Sequence, residues 1–147
     1  MGYTGIKLNV KLNNDKDVDS IKKIFGDDNC IEKVDKGYAS IGEEFVGIED
    51  FEEVAAEISK TLNVNILACL VYDSDIAVMQ GYVNGMKKYE LVRSAEENVD
   101  TNIDDMAKDF FEDSNAEEIE KVIDKEYLYC EEMFYGLSEI VGFELIH

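Results

Sequence analysis

Acids are the residues most able to do chemistry in this chain. Asp73 and Asp75 flank a serine in "VYDSDIAV". Two carboxylates at that spacing could hold a divalent cation, or divide acid and base roles between them. Glu43-Glu44, Glu52-Glu53, Asp104-Asp105 and Glu117-Glu118 are further adjacent pairs. With 34 Asp and Glu among 147 residues, such pairs arise by chance, so adjacency alone selects none of them.

Other chemistries lack their residues. The sole histidine, His147, is the last residue given, and chain ends are usually mobile, so no Ser-His-Asp or Cys-His site is expected. No GxxxxGK[ST] loop, GxGxxG turn or HExxH helix occurs. "DSDIAVMQGYVNG" opens like a calcium loop, but its later ligand positions are apolar and the closing Glu is missing. Tryptophan is absent, which weakens the case for a carboxylate-based hydrolase acting on sugars. Cys30, Cys69 and Cys130 are widely spaced and odd in number, with no CxxC, so buried thiols in a reducing cytoplasm are expected. No cofactor is implied, and Asp73 and Asp75 are only weak metal candidates.

The elements around Asp73 and Asp75 give them a simpler role. Asn65 to Tyr72 is apolar on both faces, as a central covered strand is. Ile76–Val83 and Met86–Val92 read as two more strands, joined at Asn84-Gly85, the dipeptide of tight hairpin turns. Asp73-Ser74-Asp75 sits at the equivalent junction, where short polar side chains bond to backbone amides and shape a turn. A three-stranded meander results.

Elsewhere, "GIKLNVKL" alternates with the period of a half-buried strand. Val18, Ile21, Ile24 and Phe25 then recur at helical spacing, capped by Asp15 or Asp17 and stopped by Gly26. Cys30 to Ile41 reads as irregular strand material interrupted at Gly37. "EDFEEVAAEISKTLNV" is a helix, with Asp50 and Glu53 as a capping box. The last third is helical. Its stripes are Ile103, Met106, Ala107 and Phe110, then Ala116, Ile119 and Ile123 after a start at Ser114, then Leu128, Cys130, Met133, Phe134, Leu137 and Val141. The fold expected is a single α+β domain over 1–147. It has an antiparallel sheet with a β-meander, two helices packed on one face, and a helical subregion over about 100–142.

Charge is the strongest signal. The formal net charge is −20, and a single arginine, Arg93, stands among the cations. A field of that sign repels nucleic acid and anionic membrane and speeds encounter with basic proteins. No apolar run is long enough to cross a bilayer, and the N-terminus lacks a secretory pattern. With 46% apolar residues the chain is not a disordered acidic tail. The acids are densest from Asp100 to Glu126, eleven against three lysines, a net of −8. Helical spacing sets Asp105, Asp109 and Glu112 opposite the first stripe, as a solvent-facing ridge. Glu117, Glu120 and Asp124 form a second ridge. Like charges at i, i+4 destabilise a helix by a few tenths of a kcal/mol. Ordinary solvated faces would account for the ridges, and so would a docking surface for a cationic protein.

"GYASIGEEF", "EISKTLNVNILACLVYDSDIAVMQGYVNG" and "KKYELV" resemble the pattern shared by small uncharacterised acidic proteins of Gram-positive bacteria, over about Lys36 to Arg93. Such proteins look like the immunity proteins that neutralise secreted toxins of rival bacteria. The resemblance implies an immunity-type inhibitor. Together with the charge and the thiols, the expectation is a cytoplasmic, non-enzymatic protein that binds one basic partner, such as a toxin nuclease. The acidic ridges, outside the resembling stretch, supply Asp105, Asp109, Glu112, Glu117 and Glu120 as its contact residues. A small-ligand or metal-binding domain near Asp73 and Asp75 is the alternative, and a carboxylate hydrolase is a third.

Overall fold

The computed structural model of the chain describes residues 2–111 and 116–146. Among these, β1 (Gly5–Lys11) leads into α1 (Lys16–Phe25), followed by the hairpin β2 (Ile31–Asp35) and β3 (Tyr38–Gly42). Then α2 (Phe51–Leu62) precedes β4 (Asn65–Tyr72), β5 (Ile76–Val83), β6 (Met86–Ser94) and the two-residue β7 (Asn98–Val99). Helices α3 (Ile103–Phe110), α4 (Ala116–Asp124) and α5 (Glu131–Val141) complete the described residues. The strands form one antiparallel sheet in the order β2-β3-β1-β4-β5-β6-β7.

The alternation of β4 assigns its side chains to two cores. Ile66, Ala68 and Leu70 join Ile21, Phe51, Ala55 and Ile58 beneath α1 and α2. Leu67, Cys69 and Val71 join Met106, Phe110, Ile119, Met133 and Phe134 beneath the C-terminal helices. Each such aliphatic or aromatic side chain, fully buried, contributes roughly 1.5–3 kcal/mol. The α+β architecture is therefore a sheet covered on both faces, with the two early helices on one side and the helical third on the other.

The turns follow from residue type. Asn84 and Gly85 have φ of 54° and 78°, the left-handed pair that a type I′ hairpin turn needs. Lys36 and Gly37 do the same between β2 and β3, with φ of 52° and 80°. The stretch that reads as irregular is thus an ordinary hairpin, with a register shift between Ile31 and Lys33.

Several local expectations change. The strand β1 is covered on both faces, not half-buried: Lys7 and Asn9, its polar side, are 2% and 0% exposed. Asn9 Nδ2 donates to the carbonyls of Leu67 and Leu145, both at 3.2 Å, and the Ser40 hydroxyl donates to its Oδ1. Lys7 Nζ lies 3.8 Å from Glu32 Oε2. Asp50 is the N-cap residue of α2 but makes no side-chain cap bond, so the Asp50–Glu53 box does not form. Asp15 is the N-cap of α1, also without one, while Asp17 accepts from the Asn13 and Asn14 amides. Leu128 lies outside α5 and is 83% exposed, so the third stripe begins later than its spacing implies. Ser114, Glu112 and His147 lie outside the described residues.

Candidate functional site

The Asp73-Ser74-Asp75 corner is a turn closed by its own backbone, with the Asp73 and Ser74 side chains bonded to distant segments and not to the nearby amides that the sequence suggested. Asp73 and Ser74 have φ of 50° and 56°, and the Asp75 amide donates to the Tyr72 carbonyl at 3.0 Å. The Asp73 carboxylate accepts the Gly2 amide at 2.8 Å, and the Asp73 amide donates to the Thr4 hydroxyl. Ser74, 6% exposed, is the hub. Its hydroxyl accepts from the Tyr3 amide at 2.7 Å and donates to Glu131 Oε2 at 2.8 Å. Its carbonyl accepts from the Cys130 amide at 2.9 Å, and its amide donates to Tyr3. The corner therefore joins the N-terminal segment, the meander and the start of α5. Burial first, then neighbouring Tyr135 and the carboxylates of Glu43, Glu131 and Glu32, push the Tyr3 phenol up to about 12. Tyr3 is thus a neutral structural group at physiological pH. Among the described residues no three potential metal ligands cluster.

The acidic ridges divide. Asp105 is exposed in the first turn of α3, whose Asn102 cap accepts the Asp105 amide. Asp109 is only partly open to solvent, its side chain 28% exposed, where the helical spacing implied a free ridge position. Tyr89 and Lys88 of β6 donate to its carboxylate, and Lys11 donates to its backbone carbonyl at 2.8 Å. Burial alone would push the Asp109 carboxyl up, but those hydrogen bonds and the lysine charges outweigh it, so the group lies below the usual carboxylate range. It is a clamp between helix and sheet. Glu117, Glu120 and Asp124 are exposed along α4, whose opposite side buries Ile119 and Ile123.

A second acidic cluster tests the idea of paired carboxylates. Gln80 Nε2 donates to Glu90 at 2.8 Å and to Glu52 at 3.4 Å, and Lys87 Nζ reaches the same two oxygens at 2.9 and 3.4 Å. The Lys87 hydrogen bond leads in holding the Glu90 carboxyl below its ordinary value, against the upward push of burial. General acid catalysis needs the opposite, a carboxyl raised toward neutral pH. The cluster fastens α2 to β5 and β6.

A groove of 590 Å³ lies between β6, the end of α4 and the 125–130 connection. Arg93 forms one wall. Its side chain is only 17% exposed. Its Nη1 donates to the Val92 and Val99 carbonyls, and Nη2 donates to Asp100 at 2.7 Å and to Asp124 at 3.3 Å. Asp75 and Glu126 also line the groove, and no hydrogen bond or ion pair occupies their carboxylates among the described residues. Ile123 and Met133 supply apolar floor, and Leu128 stands exposed at the margin. Burial first, then Asp75 and Glu131, push up the pKa of the Cys130 thiol, which borders the same space. The arrangement suits holding a cationic, partly apolar group.

Of the residues singled out in the sequence, Asp75 and Asp124 therefore meet at the groove, while Asp105, Glu117 and Glu120 lie on helix surfaces and Asp109 is committed to the sheet. Glu112 lies outside the described residues. Arg93, Glu126 and Leu128 were not read as site residues. The only available signal was that Arg93 is the one arginine. Neither a known family model, a curated protein nor a solved structure matches the chain.

Proposed function

We propose that the protein is a stoichiometric binding protein of the immunity type, which blocks a basic protein partner such as a toxin nuclease by covering it. One observation carries the reading: the exposed acids of α4 run directly into a groove that joins carboxylates to exposed apolar side chains. Asp124 belongs to both. Charge and apolar surface then do different work. The −20 field draws a cationic partner in and sets the association rate. Leu128 and Tyr129, both exposed, supply the apolar contact that holds it. Asp109 drops out of the contact set, and Glu117, Glu120 and Asp124 become its centre, with Asp105 at the edge. The test uses a basic protein encoded beside the gene for this chain. A 1:1 complex at physiological salt is expected. Glu117→Lys, Glu120→Lys and Asp124→Lys together should slow association by about tenfold or more and flatten its salt dependence. No complex even at low salt, or reversal of three charges without effect, would overturn the reading.

The small-ligand alternative would use the same groove. The corner favours it less as a metal site, because the Asp73 carboxylate is occupied by the Gly2 amide.

A further inference from the structure

We infer that the groove between β6, α4 and the 125–130 connection seats one cationic side chain, an arginine or lysine, projecting from an extended apolar segment of the basic partner. The inference rests on the binding reading above and deepens it by naming what enters the site.

The balance of charge selects the sign. Asp75, Asp100, Asp124 and Glu126 line the groove against Arg93 and Lys125. Arg93 compensates Asp100 and Asp124, each through a single oxygen. Lys125 is drawn to the side, its ammonium 5.8 Å from the Tyr127 ring centre. Among the described residues no ion pair engages Asp75 or Glu126, and with four carboxylates against two cations the lining repels an anion and draws a cation in. The walls then select the stem. Ile123 and Met133 are apolar and buried, and Tyr127 and Leu128 extend that surface to the rim. A long side chain with methylenes behind a terminal charge matches both parts. The volume of 590 Å³ falls within the ordinary range for clefts that bind a small group. Leu128, with 83% of its surface open to solvent, offers the flanking residues of the partner an apolar contact just outside. The geometry around Arg93 shows that carboxylates here already receive a guanidinium at 2.7 Å.

Cys130 provides the measurement, since it borders the groove while Cys30 and Cys69 are wholly buried. Iodoacetamide alkylation of Cys130 is followed in alkaline buffer, with and without an end-blocked peptide carrying one arginine between two leucines. The control peptide has glutamine in place of the arginine. The arginine peptide should slow Cys130 alkylation severalfold, and the glutamine peptide should not. Asp75→Asn with Glu126→Gln should weaken that protection by roughly tenfold. Both positions are exposed, and protection is read as a ratio, so the change in thiol acidity caused by losing the Asp75 charge cancels. Equal protection by the two peptides, no protection by either, or unchanged protection in the double variant would overturn the inference. Those outcomes leave the binding reading standing if charge reversal on α4 still slows association with the whole partner. If α4 reversal also has no effect, the binding reading fails with it.

Discussion

The Tyr89 hydroxyl donates to the Asp109 carboxylate at 2.5 Å, so an acid of the charged α3 is spent on holding that helix to β6. Lys88 adds a second donor at 3.0 Å. Asp109→Ala should therefore cost about 1–3 kcal/mol of stability, because a half-buried hydroxyl and an ammonium lose their acceptor. The pH dependence has a definite sign. The folded carboxyl titrates below its ordinary 3.8, so its contribution is present above that value and is lost as the pH falls through the folded value. Denaturant melts of the wild type and Asp109→Ala should be well separated near neutrality and should converge in acid. Affinity for a basic partner should not change.

Ser74→Gly isolates the hydroxyl at the corner, since glycine accepts the left-handed backbone found there. The Tyr3 amide and Glu131 Oε2 both lose their partner, and Glu131 Oε1 is already buried without one. A loss of about 2–3 kcal/mol is expected in urea unfolding. Combining it with Glu131→Leu should cost less than the two changes summed, since the orphaned carboxylate is then gone. Full additivity would mean that the two side chains do not depend on each other.

Gly81→Ala should destabilise by about 1–3 kcal/mol through crowding. A Cβ there would come 2.7 Å from the Phe110 ring and 2.8 Å from the Tyr89 ring. Those two rings meet edge to face, with centres 6.2 Å apart, over the bare backbone of Gly81. Phe110→Leu in the same chain should recover part of the loss. A thermal melt unchanged by Gly81→Ala would show that the ring pair can shift freely.

The thiols should separate by access. In the native protein one equivalent, Cys130, should react with a disulfide reagent, and Cys30 and Cys69 only after unfolding. The Cys130 thiol is pushed up mainly by burial, so its rate should still be climbing at a pH where an ordinary thiol has levelled off. Mass spectrometry of the first labelled peptide decides which residue reacted.

The meander was legible because turn chemistry is local. Asn84-Gly85 tolerates the left-handed backbone of a tight turn, and the short polar run Asp73-Ser74-Asp75 marks a second turn, although the Asp73 and Ser74 side chains bond to Gly2, Tyr3 and Glu131 and not to local amides. The covered state of β4 was legible from its unbroken apolar run. What stayed hidden depends on distant partners. Asn9 reads as a solvent-side residue, because nothing near it in sequence reveals the Leu145 carbonyl or the Ser40 hydroxyl that satisfy it. Asp109 reads as one of a ridge, because helical spacing cannot see Lys88 arriving from a strand. Leu128 reads as part of a stripe because its spacing fits, although the helix begins at Glu131. The groove was invisible for the same reason, since its walls come from β6, α4 and the connection before α5.

Asn9 has a further consequence, for the order in which the molecule is made. It lies in the first strand, and one of its two carbonyl partners belongs to Leu145, 136 positions further along. An amide shielded from water cannot stay unmatched without penalty. The Leu67 carbonyl can take one of the amide's hydrogens early, but the other finds its carbonyl only after Leu145 has been made. A chain cut short before Leu145 should therefore close over Asn9 with one buried N–H unmatched, and be less stable for it.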